Sequence, residues 1–419
     1  MSAATLRPAR SGRFAAVLDA GTFKTVCLIA ALDQEGRAAR IVGVGIAPSH
    51  GIVAGSVRDL AAAEAAIRTA IAQAENMSGV RLEGIDLLLN GGNPASRTFA
   101  AAAPISDGVV TRQAIDRVAA AGRAHATAYG RQLLQLETLG YRLDGGPIVP
   151  DALGLPASRL AAHVHAITAD APAVANLTRT VERCYLRPRR LIPGPIASAL
   201  AVTSEDERRH GVITVDIGAG VTGISVFRNA SPVFMSTVPM GGGDVTLDVV
   251  HSLLTPLEEA ERIKTLYGTV LNAQSDQHDV FTYAQSGGGE GLEQRSTKAD
   301  LARIIQSRMA HLLHLVRDHL AGAGLLEGNA ARIVLCGGGS EIPGLQSLAE
   351  GVFRRPVREG RPEPVSGLPP LYASAAFAGV VGVLRAVADS AAVDLPDAHG
   401  ASAPKGYIGR VGQWLRDGF

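Results

Sequence analysis

The sequence predicts a two-lobed α/β protein in which duplicated mixed-sheet domains face each other across a cleft. An apolar strand that ends on Asp and runs into a small-residue turn occurs twice, as VLDAGTFKT (Val17–Thr25) and as VDIGAGVTG (Val215–Gly223). A third Gly-rich turn, LCGGGSEIPG (Leu335–Gly344), follows another apolar run. The chain has 419 residues, 47% of them hydrophobic, which is more than one core usually organises.

The elements follow in order. Residues 1–13 (MSAATLRPARSGR) are basic and polar, lack a signal-type apolar core and are expected to form a loose arm. Strands at Phe14–Leu18, Val26–Leu32 and Ile41–Ala47, an Ala-rich helix at Leu60–Asn76 and a strand at Ile85–Asn90 open the first lobe, whose first part is 14–88. Residues 89–166 read as an inserted subdomain, with a helix near Thr111–Ala128 and strands at Gln132–Leu139 and Leu160–Ile167. The first lobe resumes over 167–209 with a helix at Ala171–Tyr185 and a Pro-rich turn at Arg187–Pro195. A strand at Gly211–Asp216 then starts the second lobe (210–244), followed by a subdomain at 245–328 and a return segment at 329–388. Within the subdomain, polar and Gly-rich Gln274–Thr297 is expected to be a loop without a core. The Asp, Ser, Pro and Ala composition of 389–404 predicts a flexible linker before a last helix at 405–419.

The 40 Lys and Arg against 39 Asp and Glu argue against nucleic acid or another polyanion gripped along the whole surface. Cys27, Cys184 and Cys336 are far apart, lack a metal-binding spacing and read as buried thiols of a reducing cytoplasm. The apolar stretch Leu371–Leu384 is too short and too rich in Gly and Ala to span a bilayer, so the chain is expected not to be transmembrane.

In the first turn Asp19 is followed by Gly21, Thr22, Phe23 and Lys24; in the second, Asp216 is followed by Gly218, Ala219, Gly220 and Thr222. Glycine lets successive amides approach phosphate oxygens, and the Thr22 hydroxyl and Lys24 ammonium add donors. Two such turns facing each other would cradle a polyphosphate, with Asp19 and Asp216 holding a hydrated Mg²⁺ through water. Two unrelated hairpins are the plainer alternative. Gly337, Gly338 and Gly339 of the third turn allow a base or ribose to approach the backbone, with Pro343 in the first turn of a following helix.

The ordered trio resembles the phosphate-one, phosphate-two and adenosine motifs of the actin, DnaK-type chaperone and sugar kinase superfamily, which implies an actin-like (ribonuclease H-like) fold and ATP. IPGPIASALAV (Ile192–Val202) and LYASAAFAGVVG (Leu371–Gly382) are similar to its two small-residue connecting helices. Within the superfamily, Pro239–Gly268 (PMGGGDVTLDVVHSLLTPLEEAERIKTLYG) resembles the FtsA family of bacterial cell-division proteins. There the Gly-rich turn of Gly242 and Gly243 leads into helices, and the resemblance implies Glu261 on the ribose and Lys264 near the adenine. A solvated i,i+3 ion pair is the other reading of those two residues. The resemblance covers most of Phe14–Leu384. It implies subdomains 1A and 2A on either side of the cleft, the inserted block as a 1C subdomain contacting other protomers, and the 245–328 block as a 2B subdomain binding the C-terminal tail of the tubulin-like FtsZ. The family's second phosphate motif commonly reads Gly-Gly-Gly-Thr-Thr-Asp, whereas Gly218–Gly223 is GAGVTG, lacking a Thr and an acid. Nucleotide binding through backbone amides is expected to survive, with slow turnover or none. No general base stands out, since His163, His165, His311 and His314 read as sheet-edge and helix-face residues.

At the C-terminus, KGYIGRVGQWLRDGF places Tyr407, Ile408, Val411, Trp414, Leu415 and Phe419 on one helical face, with Arg410 and Arg416 elsewhere. On a linker, that pattern predicts an interfacial helix for an anionic membrane, and assembly into filaments would multiply its weak binding. Docking on its own domain is the alternative. The favoured reading is a scaffold on the cytoplasmic membrane face at the division site, polymerising with ATP, anchoring FtsZ and recruiting other division proteins. A small-molecule kinase would need a carboxylate base in the first lobe, and a PilM-type pilus platform would reach the membrane through a partner's tail.

Overall fold

The computed structural model of the chain describes residues 13–33, 38–127, 130–271, 273–286, 293–327 and 332–388. β1 (Phe14–Ala20), β2 (Lys24–Leu32) and β3 (Ala38–Pro48) form an antiparallel meander. A small hairpin of β4 (Ile52–Val53) and β5 (Ser56–Val57) precedes α1 (Leu60–Ser78). This helix begins where Asp59 Oδ1 accepts the amides of Ala61 and Ala62 at 2.9 and 3.1 Å. Its alanines let it lie so close to β3 that a Cβ at Gly45 would stand 1.7 Å from the Ala70 carbonyl oxygen. Asp59→Ala is expected to lower stability by about 1 kcal/mol, visible as a lower urea midpoint at an unchanged denaturant slope.

β6 (Gly84–Leu89) lies parallel to β1 with all its residues buried. The inserted unit then comprises β7 (Ala95–Pro104), α2 (Arg112–Ala126), β8 (Arg131–Leu143), β9 (Ile148–Val149) and β10 (Arg159–Asp170), in the sheet order β7-β10-β8-β9. Val110, Val118, Leu160 and Val164 form its own apolar cluster under α2. α3 (Ala171–Arg183) and β11 (Arg187–Pro193) return to the first sheet, whose order is β11-β6-β1-β2-β3.

α4 (Gly194–Val202) and α5 (Glu205–His210) lead to β12 (Val212–Ile217), β13 (Thr222–Arg228) and β14 (Ser231–Val238). α6 (Gly242–Leu253), α7 (Leu257–Tyr267), β15 (Val280–Ala284), β16 (Glu293–Thr297) and α8 (Lys298–Gly322) follow. β17 (Arg332–Cys336), α9 (Leu345–Phe353), β18 (Val357–Glu359) and α10 (Ala378–Ala388) complete the described chain. The second sheet, β14-β13-β12-β17-β18, repeats the first position for position, a meander followed by two parallel strands. The duplication expected from the repeated strand-turn openings is therefore present. Behind the cleft, α4 and α10 cross at such short range that a Cβ at Gly382 would stand 1.7 Å from the Ala197 carbonyl oxygen.

Several expectations are corrected. Gln274–Thr297 is not a coreless loop: it contains a 3-10 turn at Gln274–Gln277 and the β15–β16 hairpin. Alternation in VFTYA turns Phe281 (4% exposed) and Tyr283 to the second-lobe core, with Phe281 stacked on Tyr267 at 5.1 Å. The Pro-rich Arg187–Pro195 segment is mostly β11, an edge strand, where proline removes no hydrogen bond needed on a second side. Arg190 fastens it to β6, its Nε and Nη2 donating to the buried Asp86 carboxylate at 2.8 and 3.0 Å. His163 and His165 lie on β10, between β7 and β8 and not at a sheet edge. His165 is 0% exposed with no hydrogen bond to either ring nitrogen among the described residues, and burial pushes its imidazole down to about 4, so it is neutral. Cys27 and Cys336 are buried but Cys184 only partly so. Of the second small-residue run, only the part from Ala378 is α-helical, after 3-10 turns at Pro370–Tyr372 and Ala375–Phe377.

Residues 1–12 of the expected arm, the linker at 389–404 and the helix at 405–419, with Tyr407, Ile408, Arg410, Val411, Trp414, Leu415, Arg416 and Phe419, lie outside the described residues. Among the described residues no helix is long and apolar enough to cross a membrane.

Candidate functional site

The three turns meet around one cleft of about 580 Å³ between the two sheets, within the range of small-ligand sites. Asp19 is the last residue but one of β1, and the Gly21 amide closes the turn by donating to Lys24 O at 3.1 Å. Thr22 Oγ1 accepts the Gly55 amide at 3.0 Å, which leaves its hydrogen available to the cleft. The Lys24 ammonium rests 3.5 Å from the centre of the Phe377 ring, which ends the 3-10 turn just before α10, so the first-lobe turn touches the segment leading into that helix. Phe23 lines the cleft and is 61% exposed.

The second turn mirrors the first: the Gly218 amide donates to Val221 O at 3.0 Å, and Gly218, Ala219 and Gly220 line the cleft. A Cβ at Gly220 would stand 2.7 Å from Thr22 Oγ1, so the two turns approach each other through a glycine that has to stay small. Thr222 departs from expectation. As the first residue of β13 it turns inward, and its buried hydroxyl donates to Met240 O at 2.8 Å. Gly242 and Gly243 line the cleft, but their amides already donate to Gly218 O and Ala219 O at 2.8 and 2.7 Å; they support the turn instead of offering donors.

Asp19 and Asp216 both line the cleft, each held by one first-lobe donor. Asn90 Nδ2 donates to Asp19 Oδ1 at 3.3 Å, and the Ser198 hydroxyl of α4 donates to Asp216 Oδ2. Burial pushes the Asp19 carboxyl up to about 7, with Lys24 opposing and Asp216 adding to the rise. Burial also raises Asp216, against the Ser198 hydrogen bond, and lowers Lys24, against the pull of Asp19 and Glu341. Two carboxylates made costly to ionise by burial, with repulsion from Asp216 adding at Asp19, form a place that a cation would relieve. Among the described residues no group of three or more His, Cys, Asp and Glu is gathered as a metal cluster. Two carboxylates completed by water and phosphate oxygens suit Mg²⁺.

On the other side of the cleft, Gly337 adopts φ 81°, and a Cβ there would stand 2.3 Å from Asp216 Oδ1. Gly338 and Gly339 enter a 3-10 turn that ends at Glu341, and α9 starts only at Leu345, so Pro343 precedes that helix. Glu261 and Lys264 both line the cleft and are paired, Nζ to Oε2, at 2.7 Å. The solvated-pair reading is thus half right: the pair exists, but at the site. Sequence reasoning missed Asn90, Ser198 and Glu341. Only Asn90 carried a local signal, as the polar end of the apolar strand IDLLLN.

Duplicated five-stranded sheets joined by two closely packed connecting helices, with three Gly-rich turns in the cleft, define a two-lobed protein of the actin-like class. Solved structures of that class share the fold: a PilM–PilN type IV pilus biogenesis complex (TM-score 0.63, 16% identity, 90% of this chain and 98% of that one) and Spiroplasma citri MreB5 bound to ADP (TM-score 0.51, 13% identity, 88% and 95%). The inserted block matches the profile described as the SHS2 domain inserted in FtsA over residues 91–168, and residues 213–382 match that of cell division protein FtsA. The cell division protein FtsA of Agrobacterium fabrum is 32% identical over 99% of this chain and 97% of its own length. The chain belongs to the FtsA family of cell-division proteins.

Proposed function

We propose that the cleft binds ATP with Mg²⁺ and that the nucleotide sets the lobe arrangement for head-to-tail assembly. The observation that carries this reading is the pair of raised carboxylates, Asp19 and Asp216, at the point where the two turns touch. In it, the amides of Gly21 and Gly218–Gly220, the Thr22 hydroxyl and the Lys24 ammonium hold phosphate oxygens, and the two carboxylates hold the metal through water. The metal supplies the charge that a polyphosphate needs to enter a cleft lined by acids. Glu261 takes the ribose, and Gly337–Gly339 back the base. Turnover is slow or absent, because the second turn lacks the acid usual in the family.

The same reading gives 14–88 with 167–209 as subdomain 1A, 89–166 as 1C, 210–244 with 329–388 as 2A, and 245–328 as 2B. The 2B block receives the FtsZ tail, 1C meets a neighbouring protomer, and residues 405–419 attach the filament to the inner membrane at the division site, where it recruits further division proteins. Many weakly bound helices on one filament would raise membrane affinity by about 10² or more. Co-sedimentation with anionic liposomes tests this. The full chain should pellet with ATP and Mg²⁺ and form filaments, while a chain ending at Pro404 stays in the supernatant; equal pelleting of both would sink the tail's assigned role.

A further inference from the structure

Lys264 stands where the family resemblance puts a contact to the base, yet its surroundings give it other work. Its ammonium lies 2.7 Å from Glu261 Oε2 and donates to Thr246 Oγ1 at 2.8 Å and to Gly242 O at 3.1 Å. Two of the three ammonium hydrogens are thus spent on Thr246 and Gly242, and its charge is already answered by the Glu261 carboxylate. The Thr246 hydroxyl in turn donates to Glu261 Oε2 at 2.6 Å. Gly242 is the next link, because its amide donates to Gly218 O at 2.8 Å, and the Gly243 amide donates to Ala219 O at 2.7 Å. Gly218 and Ala219 belong to the second phosphate turn. The approach is close enough that a Cβ at Gly241 would stand 2.3 Å from Gly218 O.

We propose that Lys264 is a positioning residue that ties α7 to the second phosphate turn and touches neither base nor phosphate. The path runs from the Glu261 carboxylate through the Lys264 ammonium and the Gly242 carbonyl, across one peptide, to the carbonyls that shape Gly218–Gly220. Glu261 lines the cleft, and its Oε1 has no hydrogen bond among the described residues, which leaves it to accept a ribose hydroxyl. A nucleoside polyphosphate would thus have its ribose end and its phosphate end read by one connected network. Charge-assisted bonds in a partly buried site are strong enough to transmit such a constraint. A second consequence is selectivity: with the ammonium engaged, the walls Leu266, Ile342 and Pro343 and the backbone are what meet the base.

The inference rests on the nucleotide reading above, so its test has one arm that needs no nucleotide. In nucleotide-free protein, Lys264→Met should speed hydrogen exchange in the peptide spanning 215–223 by about tenfold, with Lys264→Arg near wild type. Unchanged exchange there would overturn the proposal even if ATP bound normally. In the second arm, Glu261→Gln and Lys264→Met should each weaken ATP binding by about tenfold, and the double variant should be no worse than the weaker single one. Multiplying losses would mean independent ribose and base contacts and would equally overturn it. Should Lys264→Met fail to fold, judged by circular dichroism, Lys264→Gln serves both arms with the same expected directions. Failure of wild-type protein to bind ATP would remove the nucleotide reading and leave the exchange arm to decide.

Discussion

Asp19→Asn is expected to stabilise the nucleotide-free protein above pH 7 while weakening its binding of magnesium and nucleotide by about 100-fold, the upper range for groups that orient a bound metal. The sign follows from the raised carboxyl. Asp19 titrates near 7 when folded, against an unfolded value of 3.8, so between those values the native state holds a proton that the unfolded chain has released. Stability from this group is therefore fully present below about pH 4, is lost as pH rises to about 7 and stays lost above. The loss is on the order of 4 kcal/mol for a shift of that size. Asparagine keeps an oxygen for the Asn90 amide at 3.3 Å and removes the charge. Thermal unfolding of both proteins from pH 5 to 9 should show a wild-type midpoint that falls as pH rises to 7 and a variant midpoint that stays flatter. A variant less stable than wild type at pH 8 would mean that the buried carboxylate contributes stability, contrary to the site described here.

Gly382→Ala is expected to lower stability by about 3 kcal/mol, at the upper end of the usual overpacking range. The obstruction is the Ala197 carbonyl oxygen, 1.7 Å from where the Cβ would stand. Backbone cannot rotate out of the way, so α4 and α10 have to separate. Helix propensity alone gives the opposite sign, since Ala in a helix interior is favoured over Gly by about 1 kcal/mol. A urea titration thus distinguishes packing from propensity by direction. Because Ser198, next to Ala197, orients Asp216, the same variant should weaken nucleotide binding as well. A higher urea midpoint for the variant would mean that the helices cross less closely than described.

Much of this architecture is legible in the sequence because it is written in local signals. β1, β2, β12 and β17 are apolar runs closed by Asp or Gly, and the small-residue run before Val202 resembles a connecting helix of the superfamily and forms α4. What stayed hidden depends on partners distant in the chain. The β15–β16 hairpin presents just Phe281 and Tyr283 to the core amid polar neighbours. β11 is tolerant of proline because it is an edge strand, which a single chain segment does not announce. In sequence Thr222 looks like part of its turn, but its place at the start of β13 sends its hydroxyl to Met240. Ser198 is 18 residues from the Asp216 it orients, and the i,i+3 spacing of Glu261 and Lys264 identified the pair without revealing Thr246 and Gly242 as its other partners.

The proposed role of Asp19 and Asp216 is to hold, through water, a cation bound together with a polyphosphate. Isothermal titration of the full chain with ATP tests it most directly, in excess Mg²⁺ and again in excess EDTA. Binding is expected with Mg²⁺, and at least about tenfold weaker binding without it. Equal affinity in both conditions, or none in either, would contradict it.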